Sequence, residues 1–300
     1  MSTPKHPLAE VFGFPCNNQA KKAARYRKLK LCPFPNKVPN CTKDKADNPL
    51  GVCSVFHGNN IAITCPTRFR QEWLIAEDAA SFFFPEGTKW TSLTEVRLND
   101  KKGDTAGNID VVLVAYDDST GKVTDFGALE IQGVYISGNV RRPFEHYMQK
   151  PEERADMDWR KETNYPRPDY LSSSRKRLVP QLLYKGGILN AWKKKIAVAL
   201  DEGFFATLPN LKKVNPKQAD IVWLVYELAF DKSEKLYSLK KTKTVYTRFD
   251  ESLDKIIRPQ VGTPNDFIDK LQEKLDEKLE GNPPETNIIH IEGLGEVGTD

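Results

Sequence analysis

Two short apolar runs each carry an acid. Asp110 lies in Asn108-Ile109-Asp110-Val111-Val112-Leu113-Val114. Glu130 lies in Phe126-Gly127-Ala128-Leu129-Glu130-Ile131-Gln132, with Gln132 two residues on. The β-branched and aromatic content of both runs favours strands. The cluster Asp117-Asp118-Ser119-Thr120-Gly121-Lys122 between them reads as a hairpin turn. Residues i and i+2 of a strand share a face, so Glu130 and Gln132 project together and Asp110 can meet them from the neighbouring strand. Two carboxylates and an amide on one sheet face outline a hard-oxygen site suited to Mg²⁺. Glu-x-Gln can equally be the solvated face of a strand. These acids differ in being embedded in apolar runs, where an unpaired charge is costly and a metal would offset it. Glu95, upstream in Leu93-Thr94-Glu95-Val96-Arg97-Leu98, is a candidate third carboxylate.

A second constellation is made of thiols. Cys32, Cys41, Cys53 and Cys65 fall in Cys-Pro-Phe, Asn-Cys-Thr, Gly-Val-Cys-Ser-Val and Thr-Cys-Pro contexts. Four thiolates can hold one Zn²⁺ or Fe ion tetrahedrally and so tie down a segment with few large apolar residues. The spacing is wider than the Cys-x-x-Cys of zinc ribbons, and reduced buried cysteines are the competing reading. Cys16 is left over, as a free thiol or as a substitute ligand should one of these four not serve.

The remaining chain must position these groups. Three hundred residues can bury a sizeable core, and 45 basic against 41 acidic residues permit a nucleic-acid partner without requiring one. No apolar run is long enough to span a bilayer, so a soluble, cytoplasmic protein without membrane contact is expected. The reading is α/β (α+β), a mixed sheet flanked by helices. Residues 1–70 form the Cys-bearing segment, 71–260 the core, and 261–300 a helix and tail. Residues 20–30 predict a basic helix, 68–85 a helix with a broad apolar face, and 174–200 a long helix capped by Ser172-Ser173-Ser174 and weakened at Gly186-Gly187. Residues 221–228 predict a buried strand, 242–249 an edge strand, and 265–280 an amphipathic helix. The tail carries one short apolar run, Ile288–Ile291. Residues 138–173 read as an irregular segment whose Arg141, Arg142, Arg154 and Arg160 are candidates to contact DNA.

The ordered set Cys-Pro-Phe, a second Cys, Gly-Val-Cys-Ser-Val, Cys-Pro-Thr-Arg-Phe and Gly-Ala-Leu-Glu-Ile-Gln resembles the NotI-type type II restriction endonucleases over about residues 10–260. That resemblance implies the PD-(D/E)XK nuclease superfamily, with Asp110 and Glu130 as Mg²⁺ ligands and Glu95 as a further active-site acid. It puts Gln132 where a lysine usually stands, a replacement the family shares. It also implies one structural iron or zinc on Cys32, Cys41, Cys53 and Cys65, and no counterpart for Cys16. A homodimer cutting double-stranded DNA at a palindromic, GC-rich site and leaving 5′-phosphates would follow, with a cognate methyltransferase as a genetic partner. Two other classes compete: a non-catalytic DNA-binding protein with a Cys₄ site, and a structure-specific repair nuclease on the same fold.

Overall fold

The computed structural model describes residues 3–45, 47–259 and 261–281. The chain divides into two compact units, Met1–Ile257 and Arg258–Asp300. The first unit begins with strands β1 (Leu8–Val11) and β2 (Phe14–Pro15) and a basic helix, α1 (Lys21–Leu29). Strands β3 (Val52–His57) and β4 (Asn60–Ile63) complete a four-stranded sheet of order β2-β1-β3-β4. The Cys-bearing segment thus has a sheet of its own, and Leu8, Val11, Val52 and Val55 are fully buried.

A 3₁₀ stretch, Pro66–Trp73, leads into α2 (Leu74–Phe83) through a kink at Glu72 and Trp73, both with positive φ. The main sheet then runs through β5 (Trp90–Asn99), β6 (Thr105–Tyr116) and β7 (Val123–Gln132). A short pair, β8 (Tyr135–Ser137) and β9 (Arg167–Asp169), follows and brackets α3 (Arg141–Gln149). That helix lies inside the segment read as irregular. Pro143 is its third residue, where a proline costs no hydrogen bond.

An unbroken helical stretch then covers residues 170–191. It alternates α and π turns: α4 (Tyr170–Ser173), π Ser174–Leu178, α5 (Val179–Gln181), π Leu182–Gly186 and α6 (Gly187–Ala191). Its cap is Asp169, which accepts from Ser172 N at 2.8 Å, and not the serine run. The helix ends near Ala191, well short of residue 200. Lys193 is left-handed, with φ +56, and Ile196–Asp201 is a strand, β10. Then come α7 (Glu202–Ala206), β11 (Ile221–Asp231), β12 (Leu236–Thr247) and α8 (Phe249–Ile257).

The six-stranded sheet has order β12-β11-β10-β7-β6-β5 and is mixed. β7, β10 and β11 are parallel, and β12, β6 and β5 are antiparallel to their neighbours. This is the mixed sheet flanked by helices expected from sequence. β11 lies between two strands and is apolar on both faces, which explains its unbroken Ile-Val-Trp-Leu-Val-Tyr run. Alternation divides the core. Val111, Leu113, Leu129, Ala197 and Val222 pack with α2, whereas Val112, Ala128, Val198 and Trp223 pack with Leu178, Leu182 and Phe249 from the opposite side. A Cβ on Gly127 would stand 2.4 Å from the Phe83 ring, so the strand's approach to α2 requires glycine there.

The two sheets are tied by a fully buried ion pair. Arg68 Nε lies 3.0 Å from Glu10 Oε2 on β1, and its Nη2 donates to Tyr237 O on β12 at 2.7 Å. The second unit contains α9 (Pro264–Glu280), started by a Thr263/Asp266 capping box. The Ile288–Ile291 run lies outside the described residues.

Candidate active site

Register decides where the acids go. β6 and β7 pair antiparallel with Val111 opposite Leu129 and Val112 opposite Ala128, which brings Asp110 to Glu130. Asp110 Oδ2 accepts from Ile131 N at 2.8 Å. Glu130 and Gln132 are both buried, on the face covered by the 170–191 helix.

Glu130 carries the information. Its Oε2 accepts from Lys185 Nζ at 2.6 Å, and the same ammonium donates to Asn108 O at 2.8 Å. Its Oε1 is buried and has no hydrogen-bond partner. Burial, reinforced by Asp110, pushes the Glu130 carboxyl up from 4.5 to about 8, with Lys185 opposing the shift. A buried carboxylate with one oxygen held by an ammonium and the other unsatisfied, beside a second carboxylate, fits a hard divalent cation. Among the described residues no three His, Cys, Asp or Glu side chains are grouped to hold a metal. The two carboxylates the structure brings together here are Asp110 and Glu130.

Lys185 was not legible as a site residue from motif spacing. It comes from the second π turn of the 170–191 helix, 55 residues beyond Glu130. One signal was available, because Leu178, Leu182 and Leu189 form the helix's buried face and Lys185 falls in that series. A lysine on an apolar face needs a buried partner. Gln132, in the position expected to orient without charge, donates from Nε2 to Gln181 Oε1.

Glu95 stands on β5 between the pairs Thr94–Val111 and Val96–Ile109, level with Asp110, and it is left-handed with φ +55. Its half-exposed carboxylate pairs with Lys37, from the loop between Cys32 and Cys41. The predicted arginines are each engaged. Arg141 pairs with Asp44 and Glu145, Arg142 with Glu162 at 2.6 Å, and Arg160 with Asp158 at 2.6 Å. Arg154 donates to His146 O and Gln149.

The four thiols border one cavity, although among the described residues they are not grouped closely enough to hold a metal ion as they stand. Cys32 and Cys41 flank a bridge between Leu31 and Asn40, while Cys65 N donates to Cys53 O at 3.2 Å. All four line one cavity of about 10 Å³, the scale of a single water-sized body. Burial pushes the Cys32 thiol up to about 11, with Cys65 and Cys41 adding to the shift. Cys16 lies apart, its Sγ on Leu8 O, and burial pushes its thiol up to about 12.

Residues 17–239 match the family described as restriction endonuclease NotI, a span that includes the thiol cluster, both acids, Gln132 and Lys185. No curated protein matches the chain.

Proposed function

The chain belongs to the NotI restriction endonuclease family, and on that premise we propose that it is a type II enzyme hydrolysing phosphodiester bonds of double-stranded DNA. It uses Mg²⁺, cuts a palindromic, GC-rich site as a homodimer, and leaves 5′-phosphates. A palindrome suits a two-fold dimer because each protomer meets an equivalent half-site. A PD-(D/E)XK reading of the mixed sheet is supported by the hairpin that carries Asp110 and Glu130 at the open end of its pairing, away from the turn. The observation that carries the proposal is Glu130, buried with Oε1 unpaired beside Asp110 and with Oε2 fixed by Lys185.

Asp110 and Glu130 would hold the Mg²⁺, which when bound supplies an activated water and offsets charge on the scissile phosphate. Lys185 keeps Glu130 in the rotamer that leaves Oε1 free, and stabilises its anionic form against burial. Asp110 is oriented toward the site by the bond it accepts from Ile131 N. Gln132, clamped by Gln181, is a fixed amide that can orient a water or phosphate oxygen but carries no charge. Lys185 supplies the positive charge that Gln132 lacks. The four thiols would hold one iron or zinc ion in a structural role, linked to the catalytic sheet through Lys37 and Glu95.

The test is digestion of DNA of known sequence with Mg²⁺, followed by sequencing of the fragment ends. Identical palindromic ends that ligate without prior phosphorylation are expected. Ragged ends, or cutting only at mismatches and branches, would replace this reading with a structure-specific nuclease.

A further inference from the structure

The 170–191 helix runs antiparallel beside the segment that carries the acids, and residues four apart on it make the contacts. Lys185 reaches Glu130, and Gln181 reaches Gln132. Arg177 lies over the Tyr135 ring at 5.4 Å, while Ser173 Oγ accepts from Tyr135 N at 2.8 Å. Residues four apart drift round an ordinary α-helix, which completes a turn in about 3.6 residues. The π turns at Ser174–Leu178 and Leu182–Gly186 are wider and cancel that drift, so the row stays in line with the strand. π turns occur frequently at functional sites.

Along the row the side chains pass from buried to exposed. Lys185 is buried, Gln181 is half-buried and Arg177 is open to solvent. Arg177 is flanked by Arg175 and Lys176, both exposed, and among the described residues no ion pair engages any of the three. Arg141, Arg142 and Arg160, by contrast, already face carboxylates. Many surface lysines are equally open, but Arg177 is set apart by standing in register with the acid pair. The Tyr135 ring, itself 43% exposed, supports the guanidinium from one side and leaves its N–H edge available for a planar, bidentate contact.

We propose that Arg177 is a phosphate-binding residue. It holds the backbone of the cut strand a few nucleotides from the scissile bond, so that the strand lies along the Lys185–Gln181–Arg177 row. The assignment rests on the nuclease reading for the word scissile, but not for the contact with phosphate. It is a sequence-independent contact, because phosphate oxygens carry no base information.

The experiment measures binding of a short mixed-sequence duplex across a range of NaCl concentrations, in a Glu130→Ala background that blocks cutting. Arg177→Gln should lower the slope of log K against log salt by about 0.9, the counterion release of one phosphate, and weaken duplexes of different sequence alike. Arg177→Lys should keep the slope. Lys122→Gln, at the far end of the β6–β7 hairpin, should leave it unchanged and so controls for loss of one charge. Matched thermal melts exclude misfolding. An unchanged slope in Arg177→Gln overturns the proposal, as does a loss confined to one duplex sequence, which would make Arg177 a base reader. Wild-type digestion with Mg²⁺ run alongside keeps the two readings separate: if it never cuts, the nuclease reading falls while the slopes still decide whether Arg177 binds phosphate.

Discussion

Replacing Lys185 with Met keeps the length of the side chain and removes the ammonium. Two contacts go, one to Glu130 Oε2 at 2.6 Å, nearly fully buried, and one to Asn108 O at 2.8 Å, partly buried. Breaking a buried pair by removing one partner costs about 3–5 kcal/mol, because the other charge is left uncompensated. Here the loss depends on pH. Without metal, the Glu130 carboxyl in the folded protein titrates at about 8, against 4.5 when unfolded. A folded pKa above the unfolded one means that the folded state holds the extra proton between those values, so stability falls as pH rises through that window. Below about pH 8 Glu130 is neutral in the folded protein and Lys185 has no anion there to lose. Above about pH 8 the carboxylate is ionised in the wild type, and removing Lys185 raises its titration point further. Denaturant unfolding in EDTA should therefore show Lys185→Met closest to wild type near pH 6, and progressively destabilised above pH 8, by at most about 1.4 kcal/mol for each pH unit beyond it. An equal loss at both pH values would refute the reasoning and reduce Lys185 to a packing residue.

Three further outcomes follow from the same geometry. Gln181→Ala frees the Gln132 amide without touching either acid, so Mg²⁺-dependent cutting should slow by about tenfold, the loss of one hydrogen bond, while the Mg²⁺ concentration giving half-maximal rate stays put. Arg68→Met leaves Glu10 buried without its partner and should cost about 3–5 kcal/mol in denaturant unfolding; a change below 1 kcal/mol would mean the pair does not tie the two sheets together. Freshly purified protein should carry one iron or zinc per chain, and Cys41→Ser should lose the metal and melt at lower temperature; metal-free wild type of full stability would remove the Cys₄ site.

The site's acids were legible because Asp110 and Glu130 interrupt β-branched runs at positions where two strands and a turn could be read directly. The turn made the two strands neighbours without fixing their register, which the structure supplies by setting Val111 opposite Leu129. Lys185 was not legible as a ligand partner, because nothing local links it to Glu130; the contact exists only once β7 and the 170–191 helix are packed. β10 was hidden for a different reason. Trp192-Lys193-Lys194-Lys195 looks like the basic last turn of a helix, and the left-handed Lys193 that ends it is not a glycine. Ile196–Asp201 is then a fully buried parallel strand with no alternation to reveal it. α3 was masked by Pro143, which reads as a breaker unless it falls in a first turn. The N-terminal sheet escaped notice because its strands are two to six residues long and share the core of the larger sheet.

The central claim is that Asp110 and Glu130 form a catalytic metal site on DNA. The most direct test compares wild type with Glu130→Ala on plasmid DNA, in Mg²⁺ and in EDTA, while following DNA retention. The account predicts discrete fragments from the wild type in Mg²⁺ alone, and a variant that retains DNA without cutting it. Cutting by Glu130→Ala at the wild-type rate, or by the wild type in EDTA, would contradict it.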